Sequence, residues 1–197
     1  SNSVDFAIAT GAYDLFPDLV LLPCYHWERI VVVPKAHSLA AKKDKLTLKD
    51  LSAFPLVTYV FSLTGESSFK KAFNEKSLDP DVVFTARDAD IIKTYVRMGM
   101  GVGVVAAMAW ECSDKEDLVA LDAHGLFPQS TTWIGFRRDT VLRGYMLEFA
   151  ELLAPHLSVE ITRKIGDLET QAEVDALLAP IVLPVRGGCN EEFGSAA

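Results

Sequence analysis

One segment of the chain has the residue types of an anion-binding helix start, and it reads Thr64-Gly65-Glu66-Ser67-Ser68. The first amides of a helix lack acceptors within the helix and lie at the positive end of its dipole, so they attract an anion. The Thr64 hydroxyl adds one hydrogen-bond donor, and an ordinary helix cap is the alternative interpretation of this residue. The segment therefore predicts an anion site around Thr64 and Gly65.

Two further side chains stand where a ligand could meet them. Thr10 ends the apolar strand predicted over residues 4–10, and open α/β sheets bind ligands at the ends of strands. Trp27 carries an indole N–H that can only donate, with core packing as the alternative for this residue. The predicted site consists of neutral donors. These suit a reversible sensor, because a desolvated arginine is costly to leave unpaired when the ligand departs.

Catalytic and metal-binding chemistry is only weakly indicated. Residues 65–69 lack the second glycine of a nucleophile elbow, and the sequence contains no His-Glu-x-x-His. Asp88 and Asp90 could form an acid–base pair, but a helix-capping Asp88 is the favoured interpretation. Cys24 and His26 could form a redox or metal sensor, but a buried thiol beside a hydrogen-bonded histidine is favoured. We therefore expect no enzyme activity, no metal and no cofactor.

Composition limits the class of protein. The chain has 197 residues, of which 50% are hydrophobic, so it can bury a substantial core. Its net charge of −8 opposes direct binding of a polyanion such as nucleic acid. Cys24, Cys112 and Cys189 are odd in number and widely spaced, which indicates neither a disulfide framework nor a zinc site and favours a reducing cytoplasm. No membrane span and no signal segment are evident in the sequence.

Residues 82–105 predict a strand, a helix capped by Asp88, a glycine turn and a second strand. The apolar face of this helix should be formed by Ile91, Ile92, Tyr95 and Val96. Gly99 is expected to end the helix, while Gly101 and Gly103 let the next strand approach its neighbours. A dinucleotide-binding motif needs its glycines before the helix, whereas here they follow it. A packing turn without a ligand is therefore indicated.

Strands and helices alternate along the chain, which predicts an α/β protein with mainly parallel sheets. A helix capped by Asp139 or Thr140 and ended by Pro155 has a strong apolar side. That side consists of Leu142, Tyr145, Met146, Phe149, Leu152 and Leu153. Thr170 and Glu173 form a capping box for a last short helix, and the tail is predicted to be irregular.

Several segments of the chain are similar to those of one protein family. They read Asp5-Phe6-Ala7-Ile8-Ala9-Thr10, Leu22-Pro23-Cys24-Tyr25-His26-Trp27, Pro55-Leu56-Val57-Thr58-Tyr59, Phe84-Thr85-Ala86-Arg87-Asp88-Ala89-Asp90, Ile92-Lys93-Thr94-Tyr95-Val96-Arg97 and Ile134-Gly135-Phe136-Arg137-Arg138. They resemble the effector-binding domain of LysR-type transcriptional regulators, and more narrowly the CysB and Cbl group that controls sulfur assimilation and cysteine synthesis. The resemblance covers residues 4–160.

The resemblance implies an architecture of two Rossmann-like lobes of the type II periplasmic-binding-protein kind, with a small effector held between them. Residues 1–25 and 131–160 would belong to the first lobe, residues 26–130 would form the second, and residues 161–197 would be a C-terminal helix and irregular tail. In the family, further residues of the first lobe and a winged helix-turn-helix precede this region. We therefore expect the first lobe to be incomplete in this chain.

The resemblance also implies a function. In the family, the positions matching Thr10, Trp27 and Thr64 lie around a bound sulfate, and sulfate, thiosulfate, acetylserine and adenylyl sulfate are the expected effectors. The implied partners are other copies of the chain in a dimer or tetramer, promoter DNA through the absent N-terminal domain, and RNA polymerase, with no membrane. A cytoplasmic location follows. The alternative is a secreted two-lobe solute-binding protein for an oxyanion, and an enzyme of the same lobe type ranks third.

Overall fold

The computed structural model describes residues 4–10, 19–64 and 67–189 and divides the chain into two units. Unit 1 comprises Ser1–His26 and Thr131–Pro184, and unit 2 comprises Trp27–Ser130 and Val185–Ala197. The chain therefore returns to unit 2 after residue 184. Within the described ranges, no helix has the length and apolar character needed to cross a membrane.

Strands and helices alternate from residue 48 to residue 106, whereas strands follow strands or helices follow helices in most of the remaining chain. The strands are β1 (Ala7–Thr10), β2 (Leu19–Trp27), β3 (Arg29–Pro34), β4 (Leu56–Tyr59), β5 (Val82–Ala86), β6 (Val102–Ala106), β7 (Leu118–Leu121), β8 (Ser130–Arg137) and β9 (Val185–Arg186). The α-helices are α1 (Leu48–Leu51), α2 (Ser68–Glu75), α3 (Ala89–Arg97), α4 (Gly144–Leu153), α5 (Val159–Gly166) and α6 (Gln171–Leu178). The sequence predicted one helix after residue 160, whereas α5 and α6 cover that region.

Unit 2 is built on a mixed sheet with the strand order β5-β4-β6-β3-β7. Strand β4 pairs parallel with β5 and β6, and these strands are joined through the crossover helices α2 and α3. Strand β3 pairs antiparallel with both β6 and β7. The prediction of mainly parallel sheets was therefore wrong, because β3 lies between β6 and β7 and runs opposite to both.

Helix α3 confirms the predicted cap and stop. The Asp88 carboxylate accepts from the amides of Asp90 and Ile91, and Gly99 adopts a positive φ of 77°. At Gly103, an added Cβ would lie 2.7 Å from a Val96 methyl group, so only glycine fits where β6 passes α3. The glycine turn is therefore a packing feature.

The buried face of α3 differs from the prediction. Ile92 and Val96 are buried, but Ile91 is 47% exposed and Lys93 is only 2% exposed. Lys93 can occupy the buried face because its ammonium contacts Asp114 at 2.8 Å and Asp90 at 2.9 Å. A paired charge thus replaces an apolar side chain.

Unit 1 contains β1, β8 and β2 side by side in that order, with β1 antiparallel to β8. Helix α4 begins at Gly144, and its cap residue is Arg143 rather than the predicted Asp139 or Thr140. Its buried side chains are Met146, Leu147 and Ala150. The predicted apolar side is only partly buried, since Tyr145, Phe149 and Leu152 are 50%, 41% and 83% exposed.

A disulfide joins Cys112 to Cys189 in unit 2. The cysteine spacing gave no indication of a disulfide, because only the fold brings together two cysteines separated by 77 positions, with Cα atoms 5.2 Å apart. The Cys189 amide also donates to the Trp110 carbonyl at 2.9 Å. The disulfide and this hydrogen bond therefore hold the end of segment 185–189 against the rest of unit 2.

Candidate functional site

Arg29, the first residue of β3, has its guanidinium inside unit 2 and is 3% exposed. Its Cζ lies 5.7 Å from the ring centroids of Trp27 and Phe61. It lies 5.8 Å from that of Phe69 and 6.0 Å from that of Phe127. Aromatic rings attract a cation but accept no conventional hydrogen bond, so the N–H groups of the guanidinium need other partners.

The hydrogen bonds of Arg29 are incomplete. Its Nε donates to the Ser68 hydroxyl at 3.4 Å, and that hydroxyl lies 3.4 Å from the Ser130 hydroxyl. Among the described residues, no atom accepts a hydrogen bond from the buried Nη1. Burial lowers the pKa of Arg29 to about 10, and the electrostatic interaction with Tyr59 acts in the opposite direction. The guanidinium is thus a buried cation with an unused donor.

The start of α2 lies beside this guanidinium, since Ser68 is the first residue of the helix. The cap is Ser67, whose hydroxyl accepts from the Lys70 amide at 3.1 Å and donates to the Ser62 carbonyl. The alternative that Thr64 caps the helix was therefore wrong. The Thr64 hydroxyl instead donates to the Phe61 carbonyl at 2.7 Å.

The four residues of the predicted site are distributed as follows. Trp27 and Thr64 belong to unit 2, and Trp27 is a buried residue whose ring contacts the Arg29 guanidinium. Thr10 belongs to unit 1, where its hydroxyl lies 3.3 Å from that of Thr132. Gly65 lies outside the described residues.

Arg29 is the residue that the sequence interpretation missed, because that interpretation expected only neutral donors. The available signal was an arginine at the start of the apolar run Arg29-Ile30-Val31-Val32-Val33. A charged side chain that opens a buried strand needs either a counter-charge or a ligand. The sequence did not show which of these the fold supplies.

The other candidate pairs have structural roles. Cys24 is a buried thiol outside the disulfide, and its Sγ lies 3.6 Å from the Leu22 carbonyl. His26 Nδ1 lies 3.0 Å from the Thr131 hydroxyl, and burial lowers the pKa of this histidine. Asp88 caps α3, as favoured above, while Asp90 pairs with Lys93. In the described part of the chain, no three His, Cys, Asp or Glu side chains gather into a metal-binding group.

Comparison with known proteins identifies the class. Residues 1–158 match the family described as the LysR substrate binding domain, and the chain belongs to this family. Its fold is therefore the α/β fold of LysR regulatory domains, which has two lobes of the type II periplasmic-binding-protein kind.

Individual relatives are transcriptional regulators. The chain is 47% identical over 186 residues to the HTH-type transcriptional regulator CysB of Haemophilus influenzae, covering 94% of this chain and 57% of that protein. It is 47% identical over 158 residues to the regulator SsuR of Burkholderia cenocepacia, covering 80% and 51%. The chain thus spans about half the length of these curated relatives.

A solved structure agrees with these relatives. The cofactor-binding domain of the Cbl transcriptional regulator superposes with a TM-score of 0.74 at 37% identity. The match covers 82% of this chain and 70% of that one. The chain is therefore similar in both sequence and fold to the CysB and Cbl group that its residues resemble.

Proposed function

We propose that the chain is the effector-sensing domain of a LysR-type regulator of sulfur assimilation and cysteine biosynthesis. Its effector is a small anionic or zwitterionic sulfur metabolite, with sulfate, thiosulfate, acetylserine and adenylyl sulfate as the candidates. The observation that carries this proposal is the 47% identity to the regulators CysB and SsuR. Transcriptional regulators among the relatives also favour this function over a secreted solute-binding protein or an enzyme.

Thr10, Trp27, Thr64 and Gly65 are the proposed effector-binding residues. The chemistry around Trp27 supports an anionic effector, because its ring contacts the buried guanidinium of Arg29, whose Nη1 has no acceptor among the described residues. The Thr64 hydroxyl has lone pairs and a rotatable proton, so it can donate to an anion after it leaves the Phe61 carbonyl.

The proposed regulator works by population shift. An effector that binds one conformation of the protein more tightly raises the population of that conformation. Promoter DNA is bound by a separate N-terminal segment of the longer protein, which acts in the cytoplasm as a homo-oligomer together with RNA polymerase. Effector and DNA affinities are then coupled through the same conformational equilibrium.

Calorimetric titration of the 197-residue chain with the four metabolites tests the proposal. We expect one or more of them to bind. Thr64→Ala removes a donor to a charged ligand, so affinity should fall by roughly five- to 150-fold, which corresponds to about 1 to 3 kcal/mol.

Thr94→Ala is the matched control. The Thr94 hydroxyl also donates to a backbone carbonyl, that of Asp90 at 2.8 Å, but it lies on the exposed side of α3. Its replacement should leave the affinity unchanged. Absence of binding by all four metabolites would contradict the effector class, and equal affinities of Thr64→Ala and the native chain would remove Thr64 from the site.

A further inference from the structure

Among the described residues of unit 2, the two buried cationic side chains, Arg29 and Lys93, have different partners. The Lys93 ammonium has Asp114 at 2.8 Å, Asp90 at 2.9 Å and the Ala109 carbonyl at 2.9 Å. The Arg29 guanidinium, equally buried, has four aromatic rings, one serine hydroxyl and an unused Nη1. The fold therefore supplies Lys93 with counter-charges and, within the described residues, gives Arg29 Nη1 no acceptor.

Such an arrangement is costly for a purely structural arginine. A buried charge loses its hydration, and only a counter-charge with good hydrogen bonds restores that loss. The surrounding rings exclude water but offset only part of the cost. An anion placed at Nη1 would supply both the missing charge and the missing acceptor, and its attraction would be strong in these apolar surroundings.

Three donor groups converge at this point. Besides Nη1, the Ser68 hydroxyl lies 3.4 Å from Nε and 3.4 Å from the Ser130 hydroxyl. Ser68 also opens the eight-residue helix α2, whose positive dipole end favours an anion. The helix start and the unsatisfied guanidinium are independent features that favour the same ligand charge.

We propose that Arg29 is a direct ligand of an oxyanion, with Nη1 donating to one oxygen and the hydroxyls of Ser68 and Ser130 donating to others. This inference deepens the proposed function and rests on it. It replaces the expectation of a site made only of neutral donors, and it names the formal charge that selects an anionic effector.

Arg29→Met tests the proposal in the 197-residue chain, with inorganic sulfate and thiosulfate as probes and chloride at equal ionic strength as the reference. Methionine fills much of the same volume without the charge. Loss of a charged hydrogen-bonding partner should weaken binding roughly 10- to 150-fold. In chloride, the midpoint of urea unfolding should be unchanged or higher, because the variant no longer buries an uncompensated cation.

Arg87→Met is the matched control, since Arg87 is exposed in unit 2 and its replacement causes the same change in net charge. It should bind both probes like the native chain. If Arg29→Met does not fold, Ser68→Ala and Ser130→Ala keep the guanidinium and should each weaken binding several-fold.

Three results would overturn the inference. The first is binding by Arg29→Met within threefold of the native chain, and the second is failure of the native chain to bind either probe. The third is a lower urea midpoint of Arg29→Met in chloride, combined with unchanged affinity in both serine variants. If Arg29→Met binds normally while Thr64→Ala does not, the proposed function stands and Arg29 is not a ligand. If all four sulfur metabolites fail to bind, the proposed function itself falls.

Discussion

Lys93 and Asp114 form a buried ion pair at the inner face of α3, with 2.8 Å between the ammonium and the carboxylate. Ile92 and Val96 are the apolar side chains buried on this face of the helix. The third buried side chain is Lys93, whose partner Asp114 lies 21 positions further along the chain. A local pattern cannot predict a pair formed at that distance, and for the same reason it could not predict the unsatisfied donor of Arg29.

Asp114→Asn should destabilise the protein strongly. Asp114 accepts from Lys93 at 2.8 Å and from Arg97 at 2.7 Å while its own side chain is only 4% exposed. Removing the charge leaves Lys93 buried and poorly paired, so the free energy of unfolding should fall by about 3 kcal/mol. Asp117→Asn is the control. Asp117 also pairs with Arg97 but is 52% exposed, and its loss should cost less than about 1 kcal/mol.

The stabilisation contributed by Asp114 should depend on pH. Burial by itself raises the pKa of Asp114, but hydrogen bonds from Lys93, the Glu111 amide and Arg97 outweigh it and hold the pKa below its ordinary value. The stabilisation is therefore present above the unfolded-state pKa and is lost as pH falls through the lower folded-state pKa. Urea unfolding at several acidic pH values should show a smaller decline for Asp114→Asn than for the native chain, and equal declines would contradict this role.

Elements defined by short-range signals could be predicted from the sequence. The Asp88 cap, the Gly99 stop and the capping box of Thr170 with Glu173 depend on residues within a few positions of each other. Strand direction and the buried side of α4 depend on which distant element packs against them. The sequence therefore predicted the α/β alternation, but not the antiparallel β3 or the exposure of Leu152.

The disulfide between Cys112 and Cys189, which holds residues 185–189, should contribute to the stability of the protein. Cys189→Ser should lower the free energy of unfolding by about 2 to 4 kcal/mol under oxidising conditions, because the bond restricts the unfolded chain. In dithiothreitol, the variant and the native chain should have the same stability. Cys112 is exposed, so the reductant can reach the bond.

Cys112→Ser is the matched variant for this measurement. It should reproduce the loss seen in Cys189→Ser, and the double variant should lose no more than either single variant, because all three lack the same bond. A stability difference that persists in reductant would contradict the assignment of the effect to the disulfide.

At the scale of the whole molecule, unit 1 exposes several large apolar side chains. Val4, Ile8, Tyr145 and Leu152 are 74%, 56%, 50% and 83% exposed. Apolar surface of this kind promotes association. We therefore expect light scattering at tens of micromolar to give a dimer or larger species, and Leu152→Glu to lower the mass. A stable monomer near 21.6 kDa for the native chain would contradict this expectation.

A sulfur metabolite bound by this chain should change the affinity of the longer regulator for DNA. The direct measurement is fluorescence anisotropy of promoter DNA with the longer regulator that carries the DNA-binding segment, with and without the metabolite that calorimetry identifies. Linkage requires that the metabolite changes DNA affinity by the same factor by which DNA changes metabolite affinity. The 197-residue chain, with its net charge of −8, is the control and should show no sequence-specific binding.

We expect the metabolite to change DNA affinity by roughly five- to 150-fold, the usual range of such coupling. Thr64→Ala should shift this response to higher metabolite concentration. DNA affinity that is identical at zero and saturating metabolite would contradict the assignment of this chain as the sensing domain.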